Sequence, residues 1–168
     1  MTRIGLLSDT HSYLDEKIFH HFANVDEIWH AGDVGNIEVY EKLAAFKPLK
    51  GVYGNIDDTL VMQYFPRVLE FICEEVRVLI THIGGYPPKY NPHSLPLIQS
   101  YRPQLFITGH SHILKIMYDN ANQLLHMNPG AAGTHGWHQQ RTIVRFNIHR
   151  NNIQDCDVIE LGPRSANQ

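Results

Sequence analysis

Five short apolar runs, the first three alternating with segments of helical periodicity, constrain this chain more than any other feature. Ile4 to Ser8, Glu27 to His30 and Lys50 to Tyr53 suit buried strands. Between them, Tyr13 to Ala23 carries Ile18, Phe19 and Phe22 at helical spacing, and Ile37 to Phe46 sets Val39, Leu43 and Phe46 on one side. The result is a βαβαβ opening. It calls for parallel strands covered by helices, because parallel neighbours need a crossover connection.

The second half changes character. Val68 to Cys73 and Val76 to Thr81 are β-rich and flank the acidic pair Glu74-Glu75, which predicts a hairpin. Gly84 to Pro92 contains three prolines and two glycines and reads as a surface loop without regular structure. Ser94 to Tyr101 predicts a short helix and Gln104 to Thr108 a strand. Leu114 to Tyr118, Gln123 to Met127, Thr142 to Ile148 and Gln154 to Leu161 then alternate with turns at Asp119–Asn122 and near Asn151-Asn152. These elements together predict a mixed α/β domain with two sheets. The 168 residues contain no linker, low-complexity stretch or repeat, so we expect a single domain over 1–168.

Composition narrows the class of partner. With 43% hydrophobic and 18% charged residues the chain reads as globular, and a net charge of −3 gives no overall basic field for nucleic acid. Cys73 and Cys156 lie far apart and form no C-x-x-C pair, which favours reduced, buried thiols and a cytoplasmic setting. Met1 to Ser8 is not a charged leader followed by a long apolar segment, and no run approaches the ~20 apolar residues of a membrane span, so no membrane anchor is expected.

The ends of the strands carry the chemistry. Five apolar runs finish in Asp9-Thr-His11, Gly32-Asp33, Gly54-Asn55, His82 and Gly109-His-Ser-His112. In open α/β sheets, sites form beyond the carboxyl ends of strands, so these seven side chains can meet in one cleft. Residues i and i+2 of an extended segment share a side, which aims Asp9 with His11 and His110 with His112 inward. Two carboxylates, one amide oxygen and four imidazoles exceed what one four-coordinate ion needs, and N/O donors without thiolate suit catalytic Mn, Fe, Zn, Ni or Co. Two divalent ions against two carboxylates leave about two positive charges in excess, which favours an anionic substrate such as a phosphate ester.

The ordered set D-x-H, G-D, G-N, H and G-H-x-H resembles the calcineurin-like metallophosphoesterases, specifically their small bacterial and archaeal phosphodiesterase branch, from Met1 to about Ile148. The resemblance implies an α/β sandwich of two mixed β-sheets flanked by α-helices, with a di-metal centre at one edge. By it, Asp9, His11, Asp33 and His112 hold one ion, and Asp33, Asn55, His82 and His110 the other, with Asp33 as the bridge. Many members carry His after G-N, where this chain has Ile56-Asp57, and the branch often reads T-H-G-H, where this chain reads Thr81-His82-Ile-Gly. The proton donor to the leaving group is thus unassigned. A segment similar to the branch's N-P-G turn, Asn128-Pro-Gly130, brings His135 and His138 in as catalytic candidates. The resemblance is compatible with homo-oligomerisation.

The mechanism this implies is hydrolysis of a small phosphate ester, a diester before a monoester, by hydroxide shared between two divalent cations. Asn55 also serves as a substrate contact, and Tyr86, Lys89 and Tyr90 of the proline-rich loop are candidates for the organic part of the substrate. Two rival readings are a catalytically silent protein-binding scaffold of the same fold and a nuclease; the acidic balance counts against the nuclease. Among the twelve histidines, His20, His21, His93, His126 and His149 read as surface or packing residues, and His30 as structural or as a support for a ligand.

Overall fold

The computed structural model describes residues 1–165. Among these residues, one five-stranded sheet contains β1 (Thr2–Leu7), β2 (Glu27–His30), β3 (Leu49–Gly51), β11 (Gln140–His149) and β12 (Asn152–Pro163), in the order β12-β11-β1-β2-β3. The three N-terminal strands run parallel, and β11 returns antiparallel to β1. A second five-stranded sheet contains β4 (Val68–Cys73), β5 (Val76–Thr81), β8 (Leu105–Ile107), β9 (Leu114–Asp119) and β10 (Leu124–Pro129), in the order β4-β5-β8-β10-β9. Here β5, β8 and β10 are parallel and the outer strands antiparallel, so both sheets are mixed.

Side-chain alternation builds the layers. Ile4 and Leu6 of β1 and Trp29 of β2 face Val78, Ile80, Leu105, Ile107 and Met127 of the opposite sheet, forming the core between sheets. Their neighbours Leu7 and Ile28 point the other way, onto Ile18 and Phe22 of α1 (Lys17–His21) and its C-terminal turn, Val39 and Leu43 of α2 (Ile37–Phe46) and Val61 of α3 (Thr59–Met62). Leu79 and Phe106 cover the outer face of the second sheet against Ile98 of α4 (Ser94–Tyr101). Strands buried on both faces are apolar at successive positions, which is why these runs lack polar alternation. Trp29 anchors the centre, edge-on to Phe71 and Phe146 at ring distances of 5.0 and 5.7 Å. Fully burying an aromatic or aliphatic side chain of this size stabilises the fold by about 1.5–3 kcal/mol.

Four details depart from the sequence expectations. The first helix spans only Lys17–His21, because the chain turns at His11-Ser12 and stays irregular through Asp15: Tyr13 N–H donates to Thr10 C=O, and the Asp15 carboxylate accepts from Lys17 N–H and from Arg141. The proline-rich loop contains a minimal hairpin, β6 (Gly85–Tyr86) against β7 (Lys89–Tyr90), whose turn holds both Pro87 and Pro88 where no ladder N–H is required. Helix α3 was not expected; Asp58 caps it by accepting from Leu60 N–H and Val61 N–H. Cys73 is buried but Cys156 is exposed, since β12 is an edge strand with one open face.

Candidate metal centre

The residues that follow β1, β2, β3, β5 and β8 meet at one edge of the sandwich. Asp33 Oδ2 lies 3.3 Å from His11 Nε2 and 3.1 Å from His82 Nε2, while Asp9 Oδ1 lies 3.1 Å from His112 Nε2. His11 and His82 also approach Asp9 Oδ1, at 3.7 and 3.9 Å. His110 Nδ1 donates to Asn55 Oδ1 at 3.1 Å. Two triads result, Asp9–His11–His112 and Asp33–His82–His110, and within each the donor atoms lie within 4.8 Å of one another. All seven side chains singled out in the sequence are thus in one place.

The backbone that presents them is not extended. Asp9, His11, Asp33, His110 and His112 all adopt the left-handed region, with φ between 45° and 70°. Paired presentation of i and i+2 from a straight strand is therefore not how these donors converge; His110 and His112 belong to different triads. Left-handed backbone at non-glycine residues costs of order 1 kcal/mol each and persists where surrounding structure imposes it. Close packing imposes it here. A Cβ on Gly54 would stand 2.0 Å from Asp33 Oδ1, and one on Gly32, at φ +100°, 2.5 Å from His82 Nδ1.

Hydrogen bonds fix which atoms face the centre. His82 Nδ1–H donates to Ala31 C=O at 2.8 Å, which turns the Nε2 lone pair toward the carboxylates. Asp9 Oδ2 accepts from Ser8 Oγ at 2.6 Å and from His110 N–H at 3.0 Å, leaving Oδ1 for the centre. Asp33 Oδ1 accepts from Ile56 N–H at 3.1 Å. Asp9 Oδ1, His11 Nε2 and His82 Nε2 are buried and have no well-directed hydrogen-bond partner. Close approach without alignment is what lone pairs aimed at a common point produce, and buried polar atoms without partners cost about 1–3 kcal/mol each. The donor set, two carboxylates with imidazole and amide groups and no thiolate, fits hard or borderline divalent cations.

Electrostatics point the same way. Burial alone would raise both carboxyl pKa values, but the imidazoles around them outweigh it, so Asp9 and Asp33 stay ionised well below the ordinary carboxylate range. Asp33 and Asp9 in turn raise His11 to about 9. Burial opposes protonation of His82, but Asp33 and Asp9 overcome it and raise its pKa; His110 is lowered by burial.

Three supporting groups were not found from the sequence. Asp57 accepts from Val34, Gly35 and Gly54 N–H at 3.1, 2.8 and 2.8 Å, tying the loop after β2 to the loop after β3. Its carboxyl pKa is raised by burial against those three bonds. Asn128 donates to Gly109 C=O and Ser111 Oγ while accepting from Gly130 N–H, which locks the loop carrying His110 and His112. Ser8 supports Asp9, as described. His30 is a support too: its Nδ1 accepts from Gly32 N–H and its Nε2–H donates to Thr10 Oγ1, and burial lowers its pKa to about 4.

Both catalytic candidates stand beside the triads. The His135 ring lies 4.7 Å from that of His11, and the His138 ring 5.2 Å from that of His112. His138 Nε2–H donates to Gly133 C=O at 2.8 Å, and its Nδ1 is buried without a partner. In the proline-rich loop packing prevails over substrate recognition, the reading that Tyr86 and Tyr90 favour in the sequence: Tyr90 donates to Asp119 at 2.6 Å and packs on Phe106, Tyr86 holds Lys115 over its ring at 3.9 Å, and neither they nor Lys89 line the adjoining cleft. That cleft, of about 720 Å³, starts at Asn55 and His82 and reaches Arg67 and His93. His93, expected as a surface or packing residue, lines it. His126 is fully buried, and His149 is exposed.

Residues 2–151 match the calcineurin-like phosphoesterase superfamily domain. A probable metallophosphoesterase from Methanocaldococcus jannaschii is 30% identical over 134 residues, covering 76% of this chain and 67% of that protein. Among solved structures, an archaeal phosphodiesterase superposes with a TM-score of 0.74 at 21% identity, covering 95% of this chain and 99% of the other. Chaetomium thermophilum Vps29 superposes at 0.76 and 13% identity, covering 96% and 97%. The strand ends, the triads between two mixed sheets and the match along nine-tenths of the length lead to one assignment: this chain belongs to the calcineurin-like phosphoesterase superfamily.

Proposed function

We propose that this single domain hydrolyses a small phosphodiester at a two-cation centre. Asp9, His11 and His112 hold one divalent ion (Mn, Fe, Zn, Ni or Co), Asn55, His82 and His110 the other, and Asp33 bridges. When bound, such a pair supplies a nucleophilic hydroxide near neutral pH and a clamp for phosphate oxygens. The observation that carries the reading is the set of buried, partnerless atoms Asp9 Oδ1, His11 Nε2 and His82 Nε2, gathered between two ionised carboxylates. The similarity to an archaeal phosphodiesterase supports the preference for diesters.

The chain's own groups complete the chemistry. Ala31 C=O and Asn55 fix the tautomers of His82 and His110, so both rings meet the cations with the correct nitrogen. Asn55 also orients the phosphate at the mouth of the cleft. His138, kept neutral by burial and holding its Nε2 proton on Gly133 C=O, positions the His112 ring. His135, beside His11, is the group we assign to protonating the leaving oxygen. A cytoplasmic setting goes with two free thiols, and no helix among the described residues is long and apolar enough to cross a membrane.

The test is turnover of an activated aryl phosphodiester and its monoester under several divalent ions. The parent should cleave the diester faster, and Asp33→Ala should lose more than about 10³-fold, beyond the 10–100-fold typical of groups that only orient a ligand. Equal rates in parent and variant would remove the bridge assignment.

A second reading, a protein-binding scaffold, draws on the similarity to Vps29 and on exposed apolar side chains around the centre, Ile56, Ile83, Ile113 and Trp137. Tight cation binding with no turnover under any ion tried would favour it.

A further inference from the structure

The cleft that opens from the candidate metal centre has an arginine with nothing to pair with. Val68 and Thr81 are the last pair of the antiparallel β4–β5 ladder, so Arg67, just before β4, and His82, just after β5, leave the ladder at the same end, and both line the cleft. The adjoining backbone is fastened as well: Tyr53 N–H donates to Pro66 C=O at 3.0 Å, which ties the start of β4 to the loop carrying Asn55. The backbone on either side of Arg67 is thus paired, Pro66 with Tyr53 and Val68 with Thr81, and Arg67 lines the same cleft as Asn55 and His82.

Its charge is uncompensated. Arg67 is exposed and, like Arg77, Arg102, Arg150 and Arg164, makes no ion pair among the described residues, unlike Arg3, Arg141 and Arg145; what distinguishes it is that it lines the cleft with Asn55 and His82. No carboxylate lines the cleft. The cations do not need Arg67 to balance the scissile group. The excess of about two positive charges left by Asp9 and Asp33 is cancelled by one hydroxide and one singly charged diester. The guanidinium is an additional positive charge, presented in a planar fork suited to phosphate or carboxylate, at the wall of a cavity of about 720 Å³.

We propose that Arg67 is a specificity residue that receives a second anionic group of the substrate. The preferred substrate is then a phosphodiester that carries a further phosphate or carboxylate on the arm lying in this cleft. The inference rests on the phosphodiesterase reading, and its test separates the two.

Nitrophenyl thymidylate is compared with the same compound bearing a further phosphate on its free sugar hydroxyl, on manganese-loaded protein. We expect the added phosphate to lower KM about tenfold in the parent, with the ratio of the two KM values falling toward one in Arg67→Gln and partly restored in Arg67→Lys. Calorimetry with thymidine bisphosphate and thymidine monophosphate on the same loaded proteins should show the same tenfold preference and the same loss. A ratio retained in Arg67→Gln, or a variant that loses kcat equally on both diesters, overturns the inference and moves Arg67 to the scissile phosphate. If neither diester is cleaved, the phosphodiesterase reading fails. Calorimetry still decides on Arg67, since equal affinities of the parent for the two nucleotides would refute its role.

Discussion

The two ends of the strands are built on opposite principles. At the amino end of β1 and β2, charges are exposed and matched: Arg3 meets Asp26 at 2.7 Å, and the N-terminal amine meets Glu74 at 2.9 Å. At the carboxyl end, Asp9 and Asp33 are buried, among the described residues their ionisable partners are imidazoles, and the backbone beneath five of the seven donors is left-handed. One end is satisfied by itself and by water. The other retains strain and unmatched atoms that a bound cation would relieve, so the two ends should respond to perturbation by different amounts and to different agents.

The sharpest break in this contrast is a metal titration followed by thermal or denaturant unfolding. A divalent ion at a thousandfold excess over its dissociation constant should stabilise the parent by about 4 kcal/mol. Gly54→Ala should lose most of that gain, because its Cβ would displace the Asp33 carboxylate, whereas Arg3→Ala should keep all of it. An undiminished gain in Gly54→Ala would mean that cations bind elsewhere.

A smaller effect comes from the buried histidine His126, away from both ends. Burial lowers its pKa to about 4, below the ordinary value near 6.5. Between those two values the unfolded chain takes up a proton that the folded chain refuses, so stability falls as pH falls, by about 3 kcal/mol in total, and is unaffected above about 6.5. Denaturant titrations from pH 7.5 to 4.5 should show a shallower pH slope in His126→Gln than in the parent; parallel slopes would show that His126 takes up its proton without unfolding.

The smallest expected effect is at the matched end. Arg3→Ala should leave the unfolding midpoint almost unchanged, and the more so in high salt, as exposed ion pairs are screened. A large, salt-insensitive drop in the midpoint would make the Arg3–Asp26 pair a main support of β1 and β2, and the contrast between the ends would weaken.

Much of this was legible in the sequence because it is local. Strand β2, helix α2, hairpin strands β4 and β5, and helix α4 begin and end where their apolar patterns do. The two-sheet layout follows from strands apolar on both faces. The start of α1 was hidden because Asp15 is drawn to Arg141, 126 positions away. The supporting roles of Asp57 and Asn128, both seen within motifs, were hidden for the same reason: each bonds to backbone on a loop from another strand, and no spacing within the chain signals that. Arg67 could have been found, since a hairpin turning at Glu74-Glu75 already brings the start of β4 beside the end of β5, where His82 follows.

Each triad takes donors from both layers of the sandwich: Asp9 and His11 with His112, and Asp33 with His82 and His110. Neither sheet supplies a whole triad by itself. A cation held by either triad would therefore tie the two sheets together, and the site is complete only once β8 has docked beside β5.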